Sequence, residues 1–288
     1  MTYNGKTSFK LFEAGKNREG WFTNEDLIAQ FQDFAEGFKH FHPSQDLYFA
    51  FDNSMTHRAK SQDGLDVTKL NLSDGGKNVP LLRAGWYMKD GQRFVQNMQT
   101  EAGVQKGLRT ILIERGKWNH QFGLMKICRP CKFKTPLEDR AVRDNIRCCA
   151  TTILSLEPDF FEQRDALTEA VEGHGFNILF YPKYHCELNF IENVWGWLKQ
   201  FYRKNCQYNY KDLNNTLPAT LTTKLDITMV RKFQRRCFRF MSGYRLKNLV
   251  GSDLDFAVKI YASHRKIPLD ICFEDEKRKY LLKKGKKK

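Results

Sequence analysis

The stretch Asn177-Ile-Leu-Phe-Tyr181-Pro182-Lys-Tyr-His-Cys-Glu-Leu-Asn189-Phe-Ile-Glu192-Asn-Val-Trp195 decides how the chain is read. Its first five residues form a short, near-continuous apolar run of the kind found in strands buried on both faces, and Pro182 ends it. After a loop, Ile191, Val194, Trp195, Leu198 and Tyr202 recur at helical spacing, which predicts an amphipathic helix from Ile191 to about Lys204. Upstream, Leu47-Tyr-Phe-Ala-Phe51 is a second run of the same kind, stopped by Asp52-Asn53. Before it, Leu27, Phe31, Phe34 and Phe38 predict a helix over Asn24 to Phe41. Behind Pro158, the spacing of Phe161, Arg164, Leu167 and Val171 predicts another, reaching Gly173. Strands and helices in this order argue for an α/β sandwich, in which ligands sit beyond the carboxyl ends of the strands. Asp52 stands directly past one such end, and Glu192 follows the loop that leaves the other.

Between about Ser61 and Leu156 the character changes. Gly75-Gly76, Gly85, Gly91 and Gly103 break the chain into short pieces, and the clustered cysteines fall here. The expected organisation is a first part of the core over residues 1–60 and an insertion over 61–156. A second part of the core with a basic helix follows over 157–250, and a basic tail over 251–288. At 41% hydrophobic and 28% charged, the 288 residues are of an ordinary globular kind. No apolar run approaches the roughly 18 residues of a membrane helix, and no secretory signal opens the sequence. The 48 basic against 33 acidic residues give +15, of which eight positives lie from Lys277 to Lys288 without an acid. Such a balance points to a polyanionic partner, most often nucleic acid.

The segment from Tyr181 to Trp195 resembles the final catalytic motif of DDE-superfamily transposases of the mariner-like group. Phe51-Asp-Asn-Ser-Met-Thr-His57 is similar to the same family's second motif. Glu13 to Trp21, Asn71 to Lys77, Met98 to Thr100, Gly103 to Arg109 and Phe238 to Arg245 resemble a eukaryotic, largely fungal, branch. The resemblance implies an RNase H-like core, a mixed sheet flanked by helices. It also implies cleavage and rejoining of DNA with Mg²⁺ or Mn²⁺, and Asp52 and Glu192 as catalytic, metal-holding carboxylates. Such chemistry uses two ions about 4 Å apart, held by hard oxygen donors. Two departures accompany the resemblance. The family's first acid lies upstream of the stretch beginning at Glu13, and none of the twelve residues before Glu13 is Asp or Glu. The expectation is therefore a copy truncated before its first strand and its DNA-recognition region, and catalytically incomplete. Asp52 and Glu192 are also 140 positions apart, with the insertion filling the difference.

Other patterns admit two readings. Asn189 with Glu192 three positions on also fits a capping box, and Asp52-Asn53 also fits a strand-ending turn. Cys128-Arg-Pro-Cys131 followed by Cys148-Cys149 is near the spacing of a four-cysteine Zn²⁺ site, with His120 as a substitute ligand, or is four ordinary thiols. Arg231, Arg235 and Arg239 recur every four residues, with Lys232 and Arg236 alongside and Met229, Phe233, Cys237 and Phe240 opposite, on a helix expected from about Asp226 to Ser242. That face, with Lys199 and Arg203 beside Glu192, is expected to contact DNA phosphates, and the Lys-rich tail to serve nuclear import or DNA binding. The alternative to a transposase-derived DNA-binding protein is a non-enzymatic nucleic-acid-binding or zinc-binding protein kept for its basic surface. A nuclease completed by an acid from another chain is the third reading. A homo-oligomer is compatible with each.

Overall fold

The computed structural model describes residues 2–7, 10–121, 123–132, 149–207, 209–247, 249–268 and 273–285. Cys148, Cys272 and the terminal lysines Lys286 to Lys288 lie outside the described residues. The chain is mixed α/β. It opens with strands β1 (Thr2–Tyr3) and β2 (Lys6–Thr7), helix α1 (Asn24–Phe41) and strand β3 (Tyr48–Phe51). Strands β4 (Gly85–Lys89) and β5 (Gln92–Gln96) follow, then helices α2 (Leu108–Glu114) and α3 (Arg129–Lys132). Next come α4 (Ala150–Ser155), α5 (Pro158–Phe161), α6 (Ala166–Gly173) and strand β6 (Asn177–Phe180). The remainder is helical: α7 (Phe190–Asn205), α8 (Tyr210–Thr223), α9 (Ile227–Lys247), α10 (Gly251–Ile260) and α11 (Phe273–Gly285).

The chain divides into two compact units. The first comprises residues 1–48 and 54–178, the second residues 49–53 and 179–288. Residues 61–156, expected as an insertion, lie inside the first unit and supply most of its core. Leu70, Met98, Leu108, Ile111, Leu112 and Leu154 are fully buried there. The Gly-rich stretch is ordered by specific turns. Strands β4 and β5 pair antiparallel with Lys89 opposite Gln92, and Asp90 and Gly91 between them take φ of +50° and +78°. A two-residue hairpin turn of this hand needs positive φ at both positions, which Asp-Gly supplies at low cost.

At the centre of this unit the Arg115 guanidinium is withdrawn from solvent. It clamps Asp159 with two bonds of 2.9 and 2.7 Å, donates from Nε to Gln96 at 2.7 Å, and reaches Glu157 at 3.3 Å. Asp159 in turn accepts the Trp86 N–H at 2.8 Å, so one carboxylate fixes the start of β4 and the end of α2 together. The single helix expected from Pro158 to Gly173 is instead two. Asp165 caps the second by accepting the Thr168 N–H at 2.8 Å and pairs with Arg58 at 2.9 Å, and Phe161 is left 74% exposed.

Strands β3 and β6 pair with each other. The Asn177 N–H donates to Leu47 O at 3.0 Å and the Tyr181 N–H to Phe51 O at 2.8 Å, so both strands advance in the same direction. Neither is buried on both faces as the apolar runs suggested: Tyr48 and Leu179 are exposed and their neighbours half-buried. Among the described residues the pair is not extended into a larger sheet. In the second unit, α9 packs on α7 and α10 around Leu188, Phe240, Leu254, Ala257, Val258, Tyr261 and Ile267. Gly243 permits this, since a Cβ there would lie 2.3 Å from a Leu254 methyl. Residues 251–267, expected as tail, are therefore core. Helix α11 continues the fold, with Lys277 bonded to Asp253 at 2.7 Å and Tyr280 edge-on to Phe256.

Removing the guanidinium would leave the buried Asp159 carboxylate without its cationic partner and Glu157 with Lys117 alone. Arg115→Ala should destabilise the first unit by about 3–5 kcal/mol, read as a lower denaturant midpoint of its unfolding. A loss below about 1 kcal/mol would show that the pair does not organise this core.

Candidate active site and nucleic-acid interface

Both acids singled out in the sequence belong to the second unit. Asp52 is the first residue past β3, and Tyr181, bonded to Phe51, is the first past β6. The Asn53 side-chain amide donates to the Tyr181 carbonyl, which ties the residue after Asp52 to the start of the loop leading to α7. Asn53 is thus a latch between two chain segments.

Glu192 lies in the first turn of α7 and faces solvent. Asn189 caps this helix: its side chain accepts the Ile191 N–H at 3.4 Å and its carbonyl the Glu192 N–H at 3.2 Å. The Asn189 N–H, which a capping box would give to Glu192, goes to the Cys186 carbonyl at 3.1 Å. The Glu192 carboxylate therefore has no part in the cap, and among the described residues no hydrogen bond or ion pair engages it.

The loop before α7 is held by a cluster that the sequence did not reveal. His185 Nδ1 lies 2.8 Å from Glu187 Oε1, and the Tyr244 hydroxyl donates to the same oxygen at 2.8 Å. The His185 and Tyr244 rings meet edge-on at 5.1 Å. Partial burial works to raise the Glu187 pKa, but hydrogen bonds from His185, its own backbone and Tyr244 outweigh it and hold the carboxyl below its ordinary value. Burial, with donation to Glu187, pushes the Tyr244 phenol up to about 12. Through this cluster α9 fixes the loop that delivers Glu192.

The basic residues divide by position. Lys199 and Arg203 are exposed on the face of α7 that carries Glu192 and Gly196. With Tyr202, Tyr210 and Leu213 they line a groove of about 500 Å³ between α7 and the start of α8. The predicted stripe of α7 is narrower than its spacing suggested: Val194 and Leu198 are buried, but Trp195 is 45% exposed. On α9, Arg231, Lys232, Arg235 and Arg236 are exposed. Arg239 is not. It is 6% exposed, donates to Val258 O at 3.2 Å and His264 O at 2.9 Å, and burial pushes its pKa below the ordinary arginine value. Its expected phosphate contact is corrected to an internal one, because its charge is satisfied by carbonyls around the end of α10. Cys237 beside it is a core thiol, raised to about 11 by burial. Helix α8 was missed in the sequence, where Pro218 and the absence of an apolar stripe concealed it.

In the first unit, the sulfurs of Cys128, Cys131 and Cys149 lie within 4.8 Å of one another. Among the described residues this is the one group of three or more Cys, His, Asp or Glu donors close enough to share an ion. His120 is not part of it, and among the described residues neither Asp52 nor Glu192 belongs to such a group.

A family model described as DDE superfamily endonuclease matches residues 137–214. The match runs through β6, the loop and α7, and so includes Glu192, Lys199 and Arg203; Asp52 and the basic face of α9 lie outside it. It supports kinship with that superfamily. No curated protein and no solved structure matches the chain. Among the described residues no helix is long and apolar enough to cross a membrane.

Because Glu187 ionises below its ordinary value of 4.5 in the folded chain, the stability it contributes is complete above about pH 4.5 and is lost as pH falls through the lower folded value. Tyr244→Phe should cost about 1.5 kcal/mol at pH 7 and less near pH 3, measured by denaturant unfolding at both. An equal cost at the two pH values would show that the carboxylate does not sustain the cluster.

Proposed function

We propose that this chain is a transposase-derived, DDE endonuclease-like protein of the mariner-like kind that binds DNA without cutting it. In this reading β3, β6 and α7 are the RNase H-like portion, and Asp52 and Glu192 are the second and last acids of its site. The observation that carries it is Glu192, which lies within the DDE-matched stretch on the solvent face of α7 with Lys199 and Arg203. Two carboxylates with water suit one Mg²⁺ or Mn²⁺, which prefers hard oxygen donors and keeps much of its hydration. When bound, such an ion would polarise a phosphate oxygen. Stabilising both the attacking and the leaving oxygen takes a pair of ions, hence more acids, and among the described residues neither Asp52 nor Glu192 belongs to a group of three donors close enough to share an ion. What the chain itself offers is phosphate binding by Lys199, Arg203, Arg231, Lys232, Arg235 and Arg236, with Tyr202 and Tyr210 as surfaces for exposed bases. The basic composition also suits a nuclear protein.

Binding should weaken with salt along a log–log slope between about −4 and −7, at about −0.9 per phosphate contact. Combining Arg231→Ala, Lys232→Ala, Arg235→Ala and Arg236→Ala should make the slope shallower by roughly 2–4, whereas an unchanged slope would place the phosphate face elsewhere. In Mg²⁺ or Mn²⁺ the chain should not nick supercoiled plasmid. Nicking that vanishes in an Asp52→Ala, Glu192→Ala double variant would show a working nuclease and overturn the non-cutting half of the proposal.

A further inference from the structure

We propose that Cys128, Cys131 and Cys149 are a structural zinc site in the first unit. The sulfurs lie within 4.8 Å of one another. Three thiolates at tetrahedral positions around zinc, with Zn–S of about 2.3 Å, are about 3.8 Å apart, so the ion needs only a small inward shift of each side chain. Two different local structures bring the sulfurs together. The knuckle Cys128-Arg-Pro-Cys131 closes through the Lys132 N–H to Cys128 O bond at 3.0 Å. Cys149 arrives from the other side of the segment, where Ala150 and Thr151 donate their N–H groups to Met125 O and Lys126 O at 3.0 Å each. The Thr151 hydroxyl adds a second bond to Lys126 O at 2.7 Å. The backbone therefore prepares the site without help from the ion.

The chemistry of the surroundings fits as well. The Thr152 hydroxyl lies 3.2 Å from the sulfurs of both Cys131 and Cys149, where it can donate to a bound thiolate as outer partners of metal ligands do. Soft sulfur donors select zinc over Mg²⁺ or Ca²⁺. Binding releases the three thiol protons and leaves a complex of net charge −1, which Lys126, Arg129 and Lys132 on the same short stretch offset. A water completes the fourth position. Cys128 and Cys149 are buried, and Cys149 directly precedes α4, whose Ala150, Ile153 and Leu154 enter the core. The ion would thus tie α3 to the core.

The full chain, expressed and purified without chelator, should contain about one zinc by elemental analysis. Cys128→Ser, Cys131→Ser and Cys149→Ser should each lose it, while Cys206→Ser in the second unit keeps it. Replacing a buried cysteine can unfold the unit, so the unaltered chain is also stripped of metal and titrated with Co²⁺. Thiolate-to-cobalt charge-transfer bands with strong tetrahedral visible bands are expected. Thr152→Val should retain one zinc but bind it about 10- to 100-fold more weakly. A chain that purifies without zinc and gives no charge-transfer bands with Co²⁺ would overturn the proposal, as would zinc retained in full by both Cys128→Ser and Cys149→Ser. Neither result depends on whether the chain binds or cuts DNA.

Discussion

Two backbone hydrogen bonds, from Asn177 to Leu47 and from Tyr181 to Phe51, join segments at a constant offset of 130 residues. The candidate site depends on them. They make the residues after β3 and β6, Asp52 and Tyr181, neighbours at one end of a parallel pair, and the loop from Tyr181 carries Glu192 into α7. Closing so long a loop from a flexible chain costs about 4 kcal/mol in entropy, a cost that a short ladder whose bonds return about 1 kcal/mol each offsets with little to spare. The intervening residues must therefore be compact on their own account before the pair is stable. The buried leucines and methionine of the first unit supply that compactness.

Arg115 explains how a stretch broken by glycines can form such a core. A buried guanidinium is tolerable only when its donors are matched, and here Asp159, Glu157 and Gln96 match them. These partners lie on β5, on α5 and just before α5, so satisfying one charge fixes the relative placement of several short elements. Short strands and one- or two-turn helices have little stability alone. A polar clamp that accepts only one arrangement can therefore decide among packings that apolar burial leaves nearly equivalent.

This shows where sequence reading reached and where it stopped. Helix α1 and helix α7 were legible because apolar residues at helical spacing mark a face that must be buried. β3 and β6 were legible as apolar runs, but their half-exposed faces were not, since burial depends on what covers a strand. Asp159 carries no local mark of burial; the distant Arg115 makes it a core residue. Likewise nothing near His185 and Glu187 announces Tyr244 as their partner, because the Tyr244–Glu187 bond spans 57 positions. The Cys128-x-x-Cys131 knuckle was legible by spacing, whereas the approach of Cys149 is set by backbone pairing to Met125 and Lys126.

Charge shows the same limit. The count of 48 basic residues overstates what is available to phosphate, since Arg115, Arg83 and Arg239 are bonded internally and Lys277 faces Asp253. What remains is a matter of faces, and on α7 that face mixes Lys199 and Arg203 with Glu192. A carboxylate held against a phosphate backbone is repelled by it, and more strongly as water is displaced. A divalent cation between the two reverses the sign, because each anion then faces a positive charge. If α7 meets DNA as proposed, Glu192 opposes binding without such an ion and favours it with one. In that reading phosphate binding and metal binding are coupled through a single side chain.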